Sequence, residues 1–321
     1  MPTKLPTDMQ HVQLHHVTCV NASDAKDRHR MAYWQWGDPA GGHVVVCLHG
    51  LSRQGRDFDL LAQAICRSRG GGIRVVCPDV VGRGQSDWLQ DPTRYQPATY
   101  VADMLSLLEQ LQGQAQIQCL DWVGTSMGGM IGMILCGQPG LALSPPVRRL
   151  VLNDVGPVIE FASIQRISGY LGKTGRFESL QQAADAMWAI SSSFGPHTSE
   201  QWLALSRPML RPLEGEAGVL TLHYDPAIAV VVRAATAESV AQGEKMLWAV
   251  YDRILAETLL LRGVDSDLLS RETARQMEQR GPRARCVEFA GVGHAPTLVA
   301  QGQLAVVVDF LLGPAPAEPA R

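Results

Sequence analysis

The stretch IQCLDWVGTSMGGM, residues 117–130, contains a G-x-S-x-G motif centred on Ser126, directly after an apolar run. The run from 117 to 124 is typical of a buried strand, and a helix pattern follows from 127 to 136. A serine between glycines at such a turn has a strained backbone that lifts its hydroxyl above the sheet. The amides at the start of the helix favour negative charge beside it. The stretch therefore predicts Ser126 as a nucleophile.

The histidine that would activate this serine follows the last predicted strand. A serine hydroxyl is a poor nucleophile until a base takes its proton. Among nine histidines, His294 lies in the glycine-rich loop GVGHAP at 291–296, between the final strand and the final helix. Its place at the end of the chain order matches the order that accompanies the G-x-S-x-G motif. We therefore predict His294 as the base.

Three aspartates are candidates for the carboxylate that would orient this base and hold its tautomer. The loop LRGVDSD at 261–267 supplies Asp265 and Asp267, and Asp267 lies far enough into the loop to turn back toward His294. Asp154, in NDVGP after the preceding strand, is the third candidate, although a turn or cap residue is more typical of that sequence. On spacing we predict Asp267, with Asp265 and Asp154 as alternatives.

Two backbone amides are expected to stabilise the oxyanion of a tetrahedral intermediate. One belongs to Met127, the residue after the predicted nucleophile. The other is expected from Leu51, in the loop that follows the first long strand, where Gly50 allows the backbone to approach closely. His49 precedes these residues, and we expect it to shape the loop.

Short apolar runs alternate with segments of helical period through most of the chain. Strands that alternate with helices indicate a mostly parallel sheet covered on both faces. An antiparallel hairpin is expected at its edge, from the segments HVTCVN and MAYWQWGD. The buried strands are predicted at 43–50, 73–79, 117–124, 149–154, 258–263 and 284–291.

Residues 157–237 break this alternation, because they contain several aromatic residues and prolines but few strand-like runs. We interpret this segment as a mostly helical insertion that covers the site, since loops at the carboxyl edge of such sheets carry function. The expected organisation is a core in two parts, residues 1–156 and 238–321, with a helical cap at 157–237.

Composition excludes several classes of function. The chain has 321 residues, 46% of them hydrophobic and 18% charged, which is ample for a large core. A net charge of −3 gives nucleic-acid binding no electrostatic support. No apolar run is long enough to span a bilayer. The N-terminus lacks the apolar core of a secretory signal, and seven cysteines without a C-x-x-C pair favour reduced thiols, so a cytoplasmic location is expected.

Four segments make the chain similar to the α/β-hydrolase superfamily. They are HG at 49–50, DVVGRGQSD at 79–87, GTSMGG at 124–129 and GVGHAP at 291–296, and they occur in the order of the family. The resemblance extends from about residue 43 to about residue 310. It implies an eight-stranded, mostly parallel sheet flanked by helices, with a helical cap inserted after the sixth strand.

The resemblance also implies a catalytic triad of Ser126, Asp267 and His294. One departure from the family pattern concerns the acid. Members commonly place it three residues after the glycine that ends the strand, and here that position is Ser266, between Asp265 and Asp267. A serine nucleophile argues against dehalogenases and epoxide hydrolases of this fold, which use an aspartate.

These features predict a serine hydrolase that cleaves carboxylic esters through an acyl-enzyme. Carbon–carbon bond hydrolases, thioesterases, acyltransferases and cofactor-free perhydrolases share the triad and are alternatives, as is a non-catalytic small-molecule receptor. The expected partner is a small ester with an apolar acyl or alcohol part, without nucleic acid, and a homodimer is an open alternative to a monomer. No dinucleotide, phosphate or metal motif is present, so no cofactor and no metal are expected.

Overall fold

The computed structural model describes residues 12–21, 24–69, 71–141 and 143–314 of the chain. Residues 1–11, which contain most of the segment used for the expectation about a secretory signal, lie outside this part. Within it, no helix combines the length and the apolar character that crossing a bilayer requires.

One large sheet forms the centre of the fold. The described residues contain ten strands, of which two short ones form a separate pair. The strands are β1 Gln13–Asn21, β2 Asp24–Gly37, β3 His43–Leu48, β4 Ile73–Pro78, β5 Cys119–Thr125, β6 Val147–Asn153, β7 Leu210–Pro212, β8 Leu220–Leu222, β9 Glu257–Gly263 and β10 Arg285–Phe289.

The eight strands of the large sheet lie in the order β1-β2-β4-β3-β5-β6-β9-β10. β1 and β2 form an antiparallel hairpin, and β2 also pairs antiparallel with β4. All other neighbouring strands are parallel. Continuous apolar runs form these parallel strands because both faces of the sheet are covered. The predicted eight-stranded, mostly parallel sheet with an edge hairpin is thereby confirmed.

Helices cover both faces of the sheet, and five of those described lie between β6 and β9. The helices are α1 Asp59–Arg69, α2 Pro97–Gln114, α3 Met127–Gly137, α4 Phe161–Tyr170, α5 Leu180–Ser191, α6 Ser199–Ser206, α7 Ala229–Arg233, α8 Ala237–Tyr251, α9 Arg271–Gln279 and α10 Gln301–Leu312.

The two faces carry separate hydrophobic cores, and β3 shows how they are divided. Val44, Val46 and Leu48 belong to the core that also contains buried residues of α2, α3 and α8. Val45 and Cys47 belong to the core that contains residues of α1 and α10. Because successive side chains of a strand point to opposite faces, the sheet separates the two cores.

The segment between β6 and α8 contains α4 to α7 and the short β7–β8 pair, and it is called the insertion below. Its mostly helical character follows the sequence prediction, whereas β7 and β8 are too short to give a recognisable alternation. The insertion leaves the core at the carboxyl end of β6, the sheet edge at which ligands bind in open α/β sheets. The limits 157 and 237 stay a prediction.

Candidate active site

Ser126 lies on a sharp turn between β5 and α3. Its φ of 52° and ψ of −116° belong to a region that residues with a side chain rarely adopt. A Cβ at Gly124 would lie 2.3 Å from the Gly128 carbonyl oxygen, and a Cβ at Gly128 would lie 2.0 Å from the Leu48 carbonyl oxygen. Only glycine fits at these two positions, so close packing of the turn against β3 imposes the conformation of the serine.

Three side chains from separate loops form a continuous hydrogen-bonded chain. Ser126 Oγ lies 2.9 Å from His294 Nε2, and His294 Nδ1 lies 2.7 Å from Asp154 Oδ2. The Asp154 side chain is completely buried, and 12% of the His294 side chain is exposed. Since an ionised carboxylate only accepts hydrogen bonds, a neutral His294 carries its proton on Nδ1 and leaves Nε2 free to accept from the hydroxyl. This geometry allows His294 to take the Ser126 proton.

Asp154 is held by donors from the neighbouring strand. β6 lies beside β9 in the sheet, so the loops that follow these two strands meet. The Gly263 amide donates to Asp154 Oδ1 at 2.9 Å, and the Ser266 hydroxyl donates to Oδ2 at 2.6 Å. Ser266 Oγ in turn accepts from the amides of Leu268 and Leu269, at 3.3 and 3.1 Å. The carboxylate is therefore oriented by hydrogen bonds on both oxygens.

The expectation that Asp267 orients His294 is corrected by this geometry. Asp267 is exposed and points away from the histidine, toward α4, where its Oδ2 accepts from Arg166 Nε at 2.8 Å. Its backbone oxygen accepts from the Ser163 hydroxyl at 2.6 Å. The loop after β9 thus turns Asp267 outward and presents Ser266 to the site. Asp265, the first alternative, is also exposed.

Asp154 forms the hydrogen bond with His294. It is the alternative whose local sequence, NDVGP, is more typical of a turn or cap residue. A signal for it exists in the strand order. β5 and β6 are adjacent and parallel, so the residues that follow them lie at the same edge of the sheet. The Ser126 amide donates to the Asn153 carbonyl at 3.0 Å, which ties the serine turn to the residue before Asp154.

The loop after β3 lies directly against the serine. A Cβ at Gly50 would be 3.6 Å from Ser126 Cβ, which is ordinary contact, so a side chain here would fill the space beside the nucleophile without a clash. The amides of Leu51 and Met127 have no protein acceptor among the residues that the structure describes. They are therefore available to a ligand, and an oxyanion site formed by these two amides stays a prediction.

The buried side chains of a histidine and an arginine form hydrogen bonds that hold this loop. His49 is inaccessible to solvent, with Nδ1 2.7 Å from the Gly50 carbonyl oxygen and Nε2 accepting from the Val80 amide at 2.9 Å. Burial, and secondarily the positive charge of Arg83, lowers the pKa of His49 to about 3. Arg83 donates from Nε to the Leu51 carbonyl at 2.8 Å. Arg83 lies in the segment DVVGRGQSD at 79–87, whose local sequence does not indicate this contact with the loop after β3.

A cleft above the serine is formed jointly by the core and the insertion. The core contributes Ser126, His294 and the loop from Gly50 to Arg53, and the insertion contributes residues of α4, α5 and β8. Six of the twelve lining residues from the insertion are apolar and two more are tyrosines, so an uncharged acyl or alcohol group could be buried there. The apolar residues are Ile167, Met187, Ile190, Phe194, Met209 and Leu222.

Comparison with known proteins gives the family. The model of the alpha/beta hydrolase family matches residues 45–307. The chain belongs to the α/β-hydrolase family. A 3-hydroxybutyrate-oligomer hydrolase of Cupriavidus necator is 47% identical to it over 286 residues, which cover 89% of this chain and 94% of that protein.

Two solved structures resemble this α/β hydrolase over most of their length. A putative hydrolase from Rickettsia typhi superimposes with a TM-score of 0.79 at 27% identity, covering 95% of this chain and 100% of the other. An α/β hydrolase from Novosphingobium aromaticivorans gives a TM-score of 0.76 at 32% identity, covering 94% and 99%. The predictions of the fold, of the family and of a serine hydrolase that cleaves esters are confirmed.

Two groups of side chains whose atoms lie close enough together to hold a metal ion are found outside the cleft of this hydrolase. One consists of Cys19, His29 and Asp103, all buried, and the other of His43, Cys119 and Asp121. In each group the histidine already contacts the carboxylate, at 2.9 and 2.7 Å. Asp121 also forms an ion pair with Arg148, at 2.5 Å, and this cation disfavours a metal beside it.

We expect Ser266→Ala to lower kcat/KM for a p-nitrophenyl ester about ten-fold, equivalent to about 1.4 kcal/mol, because Asp154 loses one donor. Ser266→Thr keeps the hydroxyl and is the matched control, which we expect to recover most of the activity. The measurement is steady-state kinetics of both variants. Equal rates for Ser266→Ala and the wild type would exclude a positioning role for this hydroxyl.

We expect His49 to make folding sensitive to acid. Its pKa is about 3 in the folded protein and near 6.5 when unfolded, so between these values the unfolded state binds more protons. The free energy of unfolding therefore falls as the pH decreases, by about 1.4 kcal/mol per pH unit from this group. Urea unfolding at several pH values from about pH 6 to about pH 4 gives the free energy of unfolding at each pH. This free energy should change less with pH in His49→Asn than in the wild type. An identical change in the two proteins would contradict this assignment.

Proposed function

We propose that this α/β hydrolase cleaves the ester bonds of short 3-hydroxybutyrate oligomers, with Ser126 as nucleophile, His294 as base and Asp154 as the carboxylate that orients it. The observation that carries the proposal is the chain of hydrogen bonds from Ser126 Oγ to His294 Nε2 at 2.9 Å and from His294 Nδ1 to Asp154 at 2.7 Å. These hydrogen bonds connect a nucleophile, a base and an orienting carboxylate in series.

In the first half of the reaction the serine becomes acylated. Ser126 Oγ attacks the ester carbonyl carbon while His294 Nε2 takes its proton, and the buried Asp154 carboxylate stabilises the imidazolium that forms. The carbonyl oxygen becomes an oxyanion, which accepts hydrogen bonds from the amides of Leu51 and Met127. The tetrahedral intermediate then expels the alcohol, which leaves with the proton from His294.

In the second half of the reaction water replaces the alcohol. His294 takes a proton from water, the resulting hydroxide adds to the acyl carbon, and the bond between that carbon and Ser126 Oγ breaks. The proton returns to the serine, and a carboxylic acid is released. The cycle consumes one ester bond and one water molecule, releases an alcohol and a carboxylic acid, and restores Ser126 and His294, so atoms and charges balance.

The substrate class is supported by the C. necator relative and by the shape of the cleft. That relative is named for hydrolysis of 3-hydroxybutyrate oligomers, and it covers nearly the same length as this chain. Each repeat of such an oligomer is a small ester with a methyl branch, which suits a cleft with an apolar wall. We infer that the insertion acts as a cap that encloses the bound oligomer and limits the size of the substrate.

The other reactions expected from the sequence would use the same residues. Thioesters, carbon–carbon bonds and perhydrolysis all begin with a nucleophile and a base placed as Ser126 and His294 are. A non-catalytic receptor is opposed by the intact hydrogen bonds between Ser126, His294 and Asp154. Covalent labelling by a fluorophosphonate separates the receptor from the enzymes, since a receptor would not react.

A cytoplasmic location and a homodimer complete the expectations from the sequence. The seven cysteines are free and none of them is exposed, which agrees with a reducing compartment. Light scattering of the purified protein measures the mass in solution and decides between a monomer and a dimer.

We expect Asp154→Asn to reduce kcat for a p-nitrophenyl ester about 10³- to 10⁴-fold, because the histidine loses its orienting charge. Asp267→Asn and Asp265→Asn are matched controls, and each should stay within about three-fold of the wild type because neither carboxylate contacts His294. Ser126→Ala gives the baseline without a nucleophile.

The same three aspartate variants decide the assignment of the acid. A large loss in Asp267→Asn together with a small loss in Asp154→Asn would restore the assignment made from sequence spacing. Circular dichroism of each variant checks that the fold is kept, since Asp154 is completely buried.

We expect the purified protein to release 3-hydroxybutyrate from the dimer and the trimer, with kcat/KM on the order of 10⁴ M⁻¹ s⁻¹ or higher, as is typical of an enzyme with its own substrate. Chromatography of the products measures this release. The comparison panel contains a thioester and a dienone of similar length. Efficient cleavage of one of these without cleavage of the oligomers would reject the proposed substrate and keep the triad.

A further inference from the structure

The charged residues that line the cleft all have the same sign. Arg53, Arg166 and Lys173 belong to the described lining, and that lining contains no aspartate or glutamate. The chain as a whole carries a net charge of −3, so the cleft differs in sign from the protein average. Like charges that line one cleft raise the local concentration of a ligand of opposite charge.

Arg53 is committed to the structure of the protein. Its guanidinium forms two hydrogen bonds with Asp57, at 2.7 and 2.6 Å, and donates a third to the Leu205 carbonyl at 3.2 Å. Its side chain is only 14% exposed. This arginine connects the loop after β3 with the insertion, and its charge is balanced by Asp57.

Arg166 and Lys173 are more accessible. Arg166 lies on α4, with 42% of its side chain exposed, and its contact with Asp267 uses a single carboxylate oxygen. Lys173 lies just beyond the C-terminus of α4 and is exposed, and it forms no ion pair within the part of the chain that the structure describes. The Lys173 ammonium group is therefore a positive charge at the cleft that can form an ion pair with a ligand.

The turn that carries Lys173 is fixed by its neighbours. The Gly172 amide donates to the Tyr224 hydroxyl at 3.1 Å, and Arg233 donates to the Leu171 carbonyl at 2.7 Å. The Lys173 amide donates to the Tyr170 carbonyl at 3.1 Å. A backbone that is ordered before the ligand arrives lowers the entropic cost of binding.

We propose that Lys173, together with Arg166 of the same helix–turn segment and the same cleft lining, binds the free carboxylate at the end of the substrate. This inference rests on the proposed function, because an oligomer of a hydroxy acid has one carboxylate at its end and uncharged esters elsewhere. The apolar wall accommodates the ester units, and the cations select the end that carries the charge. The enzyme then prefers free-acid oligomers to esterified ones and to the interior of a long polymer.

The test compares the trimer as a free acid with its methyl ester. Both substrates contain the same internal ester bonds, and the methyl ester adds one terminal ester in place of the charge. The assay therefore follows cleavage of the internal bonds and counts methanol release separately, so that the ratio of the kcat/KM values for the internal bonds isolates recognition of the carboxylate. The variants are Lys173→Met, Lys173→Glu and Arg166→Gln. Lys245→Met is the matched control, because Lys245 is an exposed lysine on α8 outside the cleft lining.

We expect the ratio of acid to methyl ester to fall about five-fold in Lys173→Met and further in Lys173→Glu, where the charge is reversed. Arg166→Gln should lower the ratio by a smaller factor, since this arginine already has a partner. Lys245→Met should keep the wild-type ratio. Raising the salt concentration should reduce the ratio of the wild type toward that of Lys173→Met, since salt screens exposed charges.

A second measurement separates failure of this inference from failure of the proposed substrate. With p-nitrophenyl butyrate as the reporter, 3-hydroxybutyrate should inhibit more strongly than its methyl ester, and Lys173→Met should remove the difference. If the wild type cleaves no oligomer but shows this difference, the substrate is wrong and the carboxylate site stands. If Lys173→Met leaves both the kinetic ratio and the inhibition unchanged, the carboxylate site is refuted.

Discussion

The backbone of Ser126 is the constraint on which the site depends. A serine at φ 52° is unfavourable in isolation, and it persists here because Gly124 and Gly128 allow the turn to pack against neighbouring backbone at distances that no side chain permits. The same packing directs the hydroxyl away from the sheet, toward the loop that carries His294. Strain in one residue is thus held by the rigidity of β3, β5 and β6, which are central strands of the sheet.

The order of the strands determines which carboxylate completes the site. β6 lies between β5 and β9, so a residue directly after β6 can reach both the serine turn and the loop after β9. Asp154 uses this position: the amide of Gly263 and the hydroxyl of Ser266 donate to its two oxygens. A buried carboxylate without such donors would be costly, and these hydrogen bonds compensate for its removal from water.

Ser126 and His294 could be predicted because each lies in a short segment whose local sequence restricts the backbone. The parallel strands could be predicted for a similar reason, since burial on both faces requires continuous apolar runs. The choice between Asp154 and Asp267 depends on the direction in which two polar loops turn, and spacing along the chain does not encode that direction. Asp267 has the required side chain but faces Arg166, and the position at which family members commonly place the acid is occupied by Ser266, which acts as a donor instead.

The core and the insertion contribute different properties to the cleft. The core supplies Ser126, His294 and the amides of Leu51 and Met127, whose geometry depends on close backbone packing and tolerates little change. The insertion supplies an apolar wall and two accessible cations on short helices and turns, where substitution costs less stability. Under the proposed function, the reaction type depends on the core and the selection of the substrate on the insertion. Asp267 joins the two, because its loop follows a core strand while its carboxylate and backbone oxygen hold α4.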